Sequence, residues 1–346
     1  MFSTKNSQSK PNRVYLSGNP NPAPLPNLIE IQTNSYKWFF EEGIQELLDE
    51  VSPIEDFTNK SLTLTFGKPF LDKSRITEEV ARFRNLTYKA PLRARASLLN
   101  KETGEIKESD VFLGDFPLMT KRGTFIINGV ERVVVTQIVR SYGVLFTVDE
   151  VPGRNLFGAK IIPNRGAWLE IETSNKDIIS VKIDRKRRIS VTTFLRAFGY
   201  ATDDEIRKIF KDVDTNPDHQ YINSTLERDP AKSVDQALVD VYKKIRPGDL
   251  ANAEAAKSFL EAMFFNPKRY DLGRVGRYKM NSRLNLKVEN VLENRILRIE
   301  DFVATVRELI RLNNDPAARK DDIDHLSNRR VRAVGELDQA KLRVGL

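Results

Sequence analysis

The dipeptide Asn128-Gly129, set between the β-branched runs of GTFIINGVERVVVTQIV, restricts the fold more than any other feature of the chain. Both residues accept the positive φ that a type I′ turn demands, so the spacing predicts a tight antiparallel hairpin. Neighbouring segments extend the pattern. LTLTF alternates, PLRARASLL sets Arg93 and Arg95 on the face opposite Leu92, Ala94 and Ala96, and NKETGE turns the chain into IKESDVFL. A second strand-rich block runs through GAKIIPNRGAWLEIETSNKDIISVKIDRKRRISV.

Helical signals flank and follow these strands. In LIEIQTNSYKWFFEEGIQELLDEVSPIEDF the apolar residues Ile31, Tyr36, Phe39, Phe40, Ile44, Leu47, Leu48 and Val51 recur at helical spacing until Pro53. Thr202 with Glu205, and Ser233 with Gln236, have capping-box spacing, NAEAAKSFLEAMFF is a strong helix former, and DFVATVRELIRLNN is amphipathic. The class is α+β.

With 346 residues, more than one hydrophobic core is expected. Residues 1–26, rich in Asn, Ser and Pro, read as a disordered or extended arm. The absence of cysteine excludes disulfides, thiolate zinc sites and cysteine nucleophiles. A net charge of +8, with 30% charged residues of both signs, permits nucleic acid as a partner without requiring it. No stretch approaches the length of a signal core or membrane span, so a non-secreted, cytoplasmic chain without membrane contact is expected.

The sequence has no GxxxxGK[ST], GxGxxG or HExxH pattern, and its only histidines are His219 and His325. The densest chemistry lies in DDIDHLSNRRVR, residues 321–332. Asp321, Asp322, Asp324 and His325 could ligate magnesium or manganese, although Arg329, Arg330 and Arg332 would repel a cation. The same residues could form a salt-bridged turn, or a nucleic-acid contact in which arginine forks meet phosphates and a carboxylate meets base amino groups. Arg140, Trp168, and Asp184 beside the basic run Arg185–Arg188 suit that last role, against the simpler readings of a core ring and a solvated hairpin tip.

Five stretches, LPNLIEIQTNSYKWFFEEGIQELLDEVSPIEDF, FLGDFPLMTKRGTFIINGVERVVVTQIVRS, IIPNRGAWLEIE, RYDLGRVGRYKMN and DDIDHLSNRRVRAVGEL, resemble in this order the N-terminal part of the β subunit of bacterial DNA-dependent RNA polymerase. The resemblance implies two mixed modules, each of antiparallel strands with packed helices: a protrusion (27–139 with 330–346) and a lobe (140–329). Together they form one jaw of the DNA cleft, contacting downstream duplex and non-template single strand. It further implies a pocket for an unpaired guanine built from Arg140, Asp184, Ile323, Asp324 and Arg329, with Trp168 stacking on the preceding base. Val135 and Gln137 would lie near nascent RNA or a rifamycin, and Ile106, Lys107 and Glu108 would dock a transcription-repair coupling factor.

The implied partners are the β′, α, ω and σ subunits, DNA and nascent RNA, in a bacterial, nucleoid-associated enzyme. No catalytic residue, metal or cofactor is expected in this chain. The Mg²⁺ of the assembled nucleotidyltransferase is expected on β′, and the chain alone is expected to be inactive. Tyr142 stands where the family usually has proline, and Ser327 where it usually has glycine. A Cβ at 327 would strain the loop if φ there were positive. The alternatives are a stand-alone module that docks repair or regulatory factors, and a generic basic nucleic-acid binder.

Overall fold

The computed structural model describes residues 26–57, 60–152 and 154–346, so almost all of the expected N-terminal arm lies outside the described residues. The chain forms two compact units, one of Met1–Thr136 with Ala333–Leu346 and one of Gln137–Arg332. Both mix helices with antiparallel sheet, as the strand and cap signals require.

The first unit begins with α1 (Glu30–Trp38), a single π turn (Phe39–Gly43) and α2 (Ile44–Val51). The sequence read this stretch as one regular helix. The wider turn instead inserts an extra residue, so the apolar stripe shifts partway along and Ile31 stays 58% exposed while Phe39, Ile44 and Leu48 are buried. These three residues pack on Leu92 and Ala94 of the sheet, and Phe39 stacks on Phe116 with ring centroids 5.1 Å apart.

That sheet runs in the order β1 (Ile54–Glu55), β2 (Leu62–Leu71), β3 (Lys89–Asn100) and β4 (Ile106–Pro117), with the short helix α3 (Glu78–Phe83) between β2 and β3. Arg93 and Arg95 lie opposite the buried Leu92, Ala94 and Ala96, as alternation predicts. The Asn128-Gly129 hairpin forms between β5 (Phe125–Ile127) and β6 (Val130–Arg132), with φ of 50° and 79° at its two central residues.

The second unit opens with β7 (Gln137–Arg140) and a five-stranded antiparallel meander of β8 (Gly143–Val151), β9 (Arg154–Ile162), β10 (Leu169–Thr173), β11 (Ile179–Ile183) and β12 (Ile189–Ser190). Val144, Ile161, Leu169 and Ile183 stand in one row on its inner face, all buried. On the outer face Lys182 and Arg188 reach Glu172 at 2.5 and 3.0 Å.

Helices α4 (Val191–Ala197), α5 (Asp203–Phe210), α6 (Tyr221–Glu227), α7 (Val234–Ile245), α8 (Ala253–Phe264), α9 (Gly273–Leu284) and α10 (Ile299–Asn314) contribute to the same core. Thr202 and Glu205 form the expected capping box. Ser233 caps α7 as its spacing predicts, but the Gln236 side chain accepts from Lys232 N–H instead of returning to Ser233. The chain then leaves this unit through β13 (Arg329–Arg332), which pairs with β7, and ends in α11 (Val334–Gly345) of the first unit. There Gln339 donates to the carbonyl of Gly43 at 3.0 Å, giving a partner to a group within the π turn.

Candidate nucleic-acid interface

The rim of the second unit's meander gathers the charged and aromatic residues singled out by sequence. Strand alternation and register set Gly143, Ile162, Leu169 and Ile183 near one end of neighbouring strands, so Arg140, Trp168 and Asp184 all project from that end. Trp168 lies two strands from β8, about 10 Å at the usual strand spacing.

Arg140 and Arg329 are directly opposed across the β7–β13 ribbon. Side chains of a directly opposed pair share one face, and like charges placed so repel. Both residues are exposed, and among the described residues neither has an ion-pair partner. Ser141 N–H donates to Asn328 O at 2.9 Å and continues the ribbon's pairing.

The loop 321–328 is held in place by its own polar groups. Asn328 Nδ2 donates to Asp322 O at 2.7 Å, and Asp322 Oδ1 accepts from the N–H groups of Asp324 and His325 at 3.0 and 3.2 Å. Asp321 exchanges two hydrogen bonds with the Phe146 backbone at the edge of β8, at 3.0 and 2.8 Å, and meets Arg283 Nε at 3.3 Å. Lys279 donates to Ser327 O, and burial lowers the pKa of its ammonium.

The acids of the considered metal site thus have separate duties: Asp321 ties the loop to the sheet and Asp322 caps a turn. Among the described residues no group of three His, Cys, Asp or Glu side chains is arranged to hold an ion. Asp324 is exposed, and Ile323 is half-buried beside it. Ser327 lies in the short turn Leu326–Asn328 and is not among the positive-φ residues, so its Cβ brings no strain, and its hydroxyl meets His325 Nδ1 at 2.7 Å. Tyr142 accepts a hydrogen bond from Arg330, whose guanidinium also stands 4.2 Å from the tyrosine ring centroid.

Trp168 and Asp184 form a second group. Asp184 N–H donates to Trp168 O at 2.9 Å, and Asp184 Oδ1 accepts from Trp168 N–H at 2.8 Å. Asp184 and Arg185 adopt φ of 47° and 59°, a reversal that sets the Arg185 guanidinium 5.7 Å from the half-buried Trp168 ring. The basic run therefore divides its work, with Lys186 donating to Ile245 O at 3.0 Å and Arg188 pairing with Glu172.

Helix α9 supplies support that sequence reasoning passed over. Gly143, at φ 121°, lies so close to it that a Cβ would stand 3.0 Å from Lys279 Cβ. One turn is fixed by Arg277, fully buried, which binds both carboxylate oxygens of buried Asp301 at 2.7 and 2.9 Å and Ile296 O at 2.8 Å. In the sequence Arg277 stood only within the stretch RYDLGRVGRYKMN, with no role assigned; its acid partner lies on α10.

The other expected residues stand elsewhere. Val135 is 74% exposed between Val134 and Thr136, both of which accept from Gln32 Nε2, and Gln137 is exposed at the start of β7. Ile106, Lys107 and Glu108 begin β4, an outer strand of its sheet that among the described residues pairs only with β3, and Ile106 is 60% exposed. Among the described residues no helix is long and apolar enough to cross a membrane.

The family model for RNA polymerase Rpb2, domain 2, matches residues 142–332, and the chain belongs to this family of RNA polymerase subunits. More specifically, it is 51% identical over 326 residues to the DNA-directed RNA polymerase subunit beta of two strains of Dehalococcoides mccartyi, an alignment covering 93% of the chain and 26% of each relative. The corresponding subunit of Chloroflexus aggregans is 48% identical over 352 residues, covering 93% of the chain and 28% of the relative. The chain thus spans about a quarter of the length of these curated relatives.

Proposed function

We propose that this chain contributes DNA contacts to a DNA-directed RNA polymerase, gripping downstream duplex and an unpaired non-template base. One observation carries the reading: Arg140 and Arg329 are directly opposed with no ion-pair partner among the described residues, and the loop leading into β13 carries an exposed Asp324. An anionic strand relieves that repulsion, and its counterion release drives association. Guanine suits the remaining group, because its N1–H and N2 amino donors meet a carboxylate. Ile323 offers an apolar wall, and Trp168, oriented by Asp184, offers a ring for the preceding base.

In this reading the chain guides and captures DNA and forms no bonds in the substrate. Nucleotide addition belongs to the assembled enzyme, with Mg²⁺ on β′, and the isolated chain incorporates no nucleotide. Partners are β′, α, ω and σ, with Val135 and Gln137 facing nascent RNA or a rifamycin. A photo-crosslinking guanine analogue placed in the non-template strand should label residues 323–329 in the polymerase assembled with this sequence, and Asp324→Ala should abolish that labelling. Labelling confined to other subunits would overturn the proposal.

A second role draws on the outer edge of β4, which has no further strand among the described residues. Such an edge accepts a further strand, and Ile106 offers an apolar anchor flanked by Lys107 and Glu108. A transcription-repair coupling factor is the proposed partner there, and binding should be lost in Lys107→Glu with Glu108→Lys.

A further inference from the structure

At the end of the meander remote from Trp168 and Asp184 lies a concavity of about 650 Å³. Its floor includes the outer face of the sheet, where Glu172 opposes Ser180 and Ser180 opposes Ser190. Half-buried Val151 and Ile178 and exposed Pro230 add apolar surface, and Lys176, Arg188, Arg228 and Lys244 bring four cations to its lining.

The charges in this cavity do not cancel. Glu172 is already occupied by Lys182 and Arg188, and Lys244 is paired with Asp240 at 2.8 Å. Lys176, on the β10–β11 turn, and Arg228, at the end of α6, have no ion-pair partner among the described residues, and Asp149 is the remaining acid of the lining. A basic excess above a partly apolar, hydroxyl-bearing floor is a complement for a molecule with an anionic tail and a flat polar ring. The volume is that of a small-molecule site rather than a groove for duplex.

We propose that this cavity binds a nucleoside polyphosphate, with Lys176 and Arg228 holding the phosphates and the ring lying over Val151, Ile178 and Pro230. The site is independent of the DNA contact proposed above, since it shares none of its residues. A ligand there would touch α6, α7 and the far ends of β10 and β11 without entering the DNA-facing rim.

The test is calorimetric titration of the full chain with ATP, tripolyphosphate and adenosine separately, at physiological salt. ATP should bind more tightly than either part, and Lys176→Glu with Arg228→Glu should weaken it at least about tenfold. Lys208→Glu with Lys211→Glu, which makes the same charge change on the exposed surface at α5, should leave affinity within about twofold. Equal weakening by both double variants would reduce the effect to general charge and overturn the site. Tripolyphosphate binding as tightly as ATP would overturn the assignment to a nucleoside ligand, and ATP affinity weaker than about 1 mM would overturn the proposal entirely.

Discussion

Asp184 and Trp168 hold each other through two hydrogen bonds, one from Asp184 N–H to Trp168 O at 2.9 Å and one from Trp168 N–H to Asp184 Oδ1 at 2.8 Å. The carboxylate that sequence reasoning placed in a base pocket is therefore already engaged in setting the tryptophan. Asp184→Ala removes the acceptor and leaves alanine at φ 47°, for an expected loss of about 1–3 kcal/mol in urea unfolding. Asp184→Asn keeps an acceptor and tolerates that φ, and should cost less than about 1 kcal/mol. In a Trp38→Phe background, which leaves Trp168 as the only tryptophan, indole emission should shift to the red in the alanine variant alone.

The buried Arg277–Asp301 pair makes a stronger demand. Asp301→Ala leaves a guanidinium without its counter-charge inside the core, and the expected cost is about 3–5 kcal/mol in equilibrium unfolding. Arg277 sits on the helix that carries Lys279 and Arg283, so hydrogen exchange in loop 321–328 should rise as well. An unchanged loop would show that α9 does not brace it.

Ser327→Gly tests the loop's backbone. The turn Leu326–Asn328 does not use positive φ at 327, so glycine brings no relief and loses the hydroxyl contact with His325. The expected change is a loss of about 0.5–1 kcal/mol, measured by thermal unfolding. A gain in stability would mean that the loop prefers the left-handed conformation.

Asp338, on α11, has its pKa raised to about 6 by burial. Its folded pKa exceeds the unfolded value, so the neutral acid favours folding. That contribution is complete below about pH 4 and is lost as pH rises through about 6. Asp338→Asn should stabilise the chain at pH 7.5, by on the order of 2 kcal/mol, and should have little effect at pH 4. Chemical unfolding at the two pH values gives the comparison.

Local signals were legible in the sequence wherever one short segment decided the outcome. Asn128-Gly129 formed its hairpin, and Thr202 with Glu205 closed a capping box, because both depend on neighbouring residues alone. The π turn at Phe39–Gly43 was not legible, since its carbonyl partner Gln339 lies at the far end of the chain. In the candidate site the residue types pointed to nucleic acid, but pairing across β7 and β13 placed Arg140 opposite Arg329, which no local periodicity encodes. Likewise, the metal reading of residues 321–325 failed to anticipate that the Phe146 backbone would engage Asp321.

The most direct test of base capture is the lifetime of the open promoter complex formed by polymerase assembled with this sequence. Asp324→Ala and Trp168→Ala should be compared on promoters that differ at single non-template positions. Capture of guanine through Asp324 predicts that Asp324→Ala shortens the lifetime by about 5–100-fold when guanine occupies one position, with a much smaller effect for other bases there. Trp168→Ala should act at the preceding base. Lifetimes unchanged for every base, or shortened equally for all, would contradict base capture by these residues.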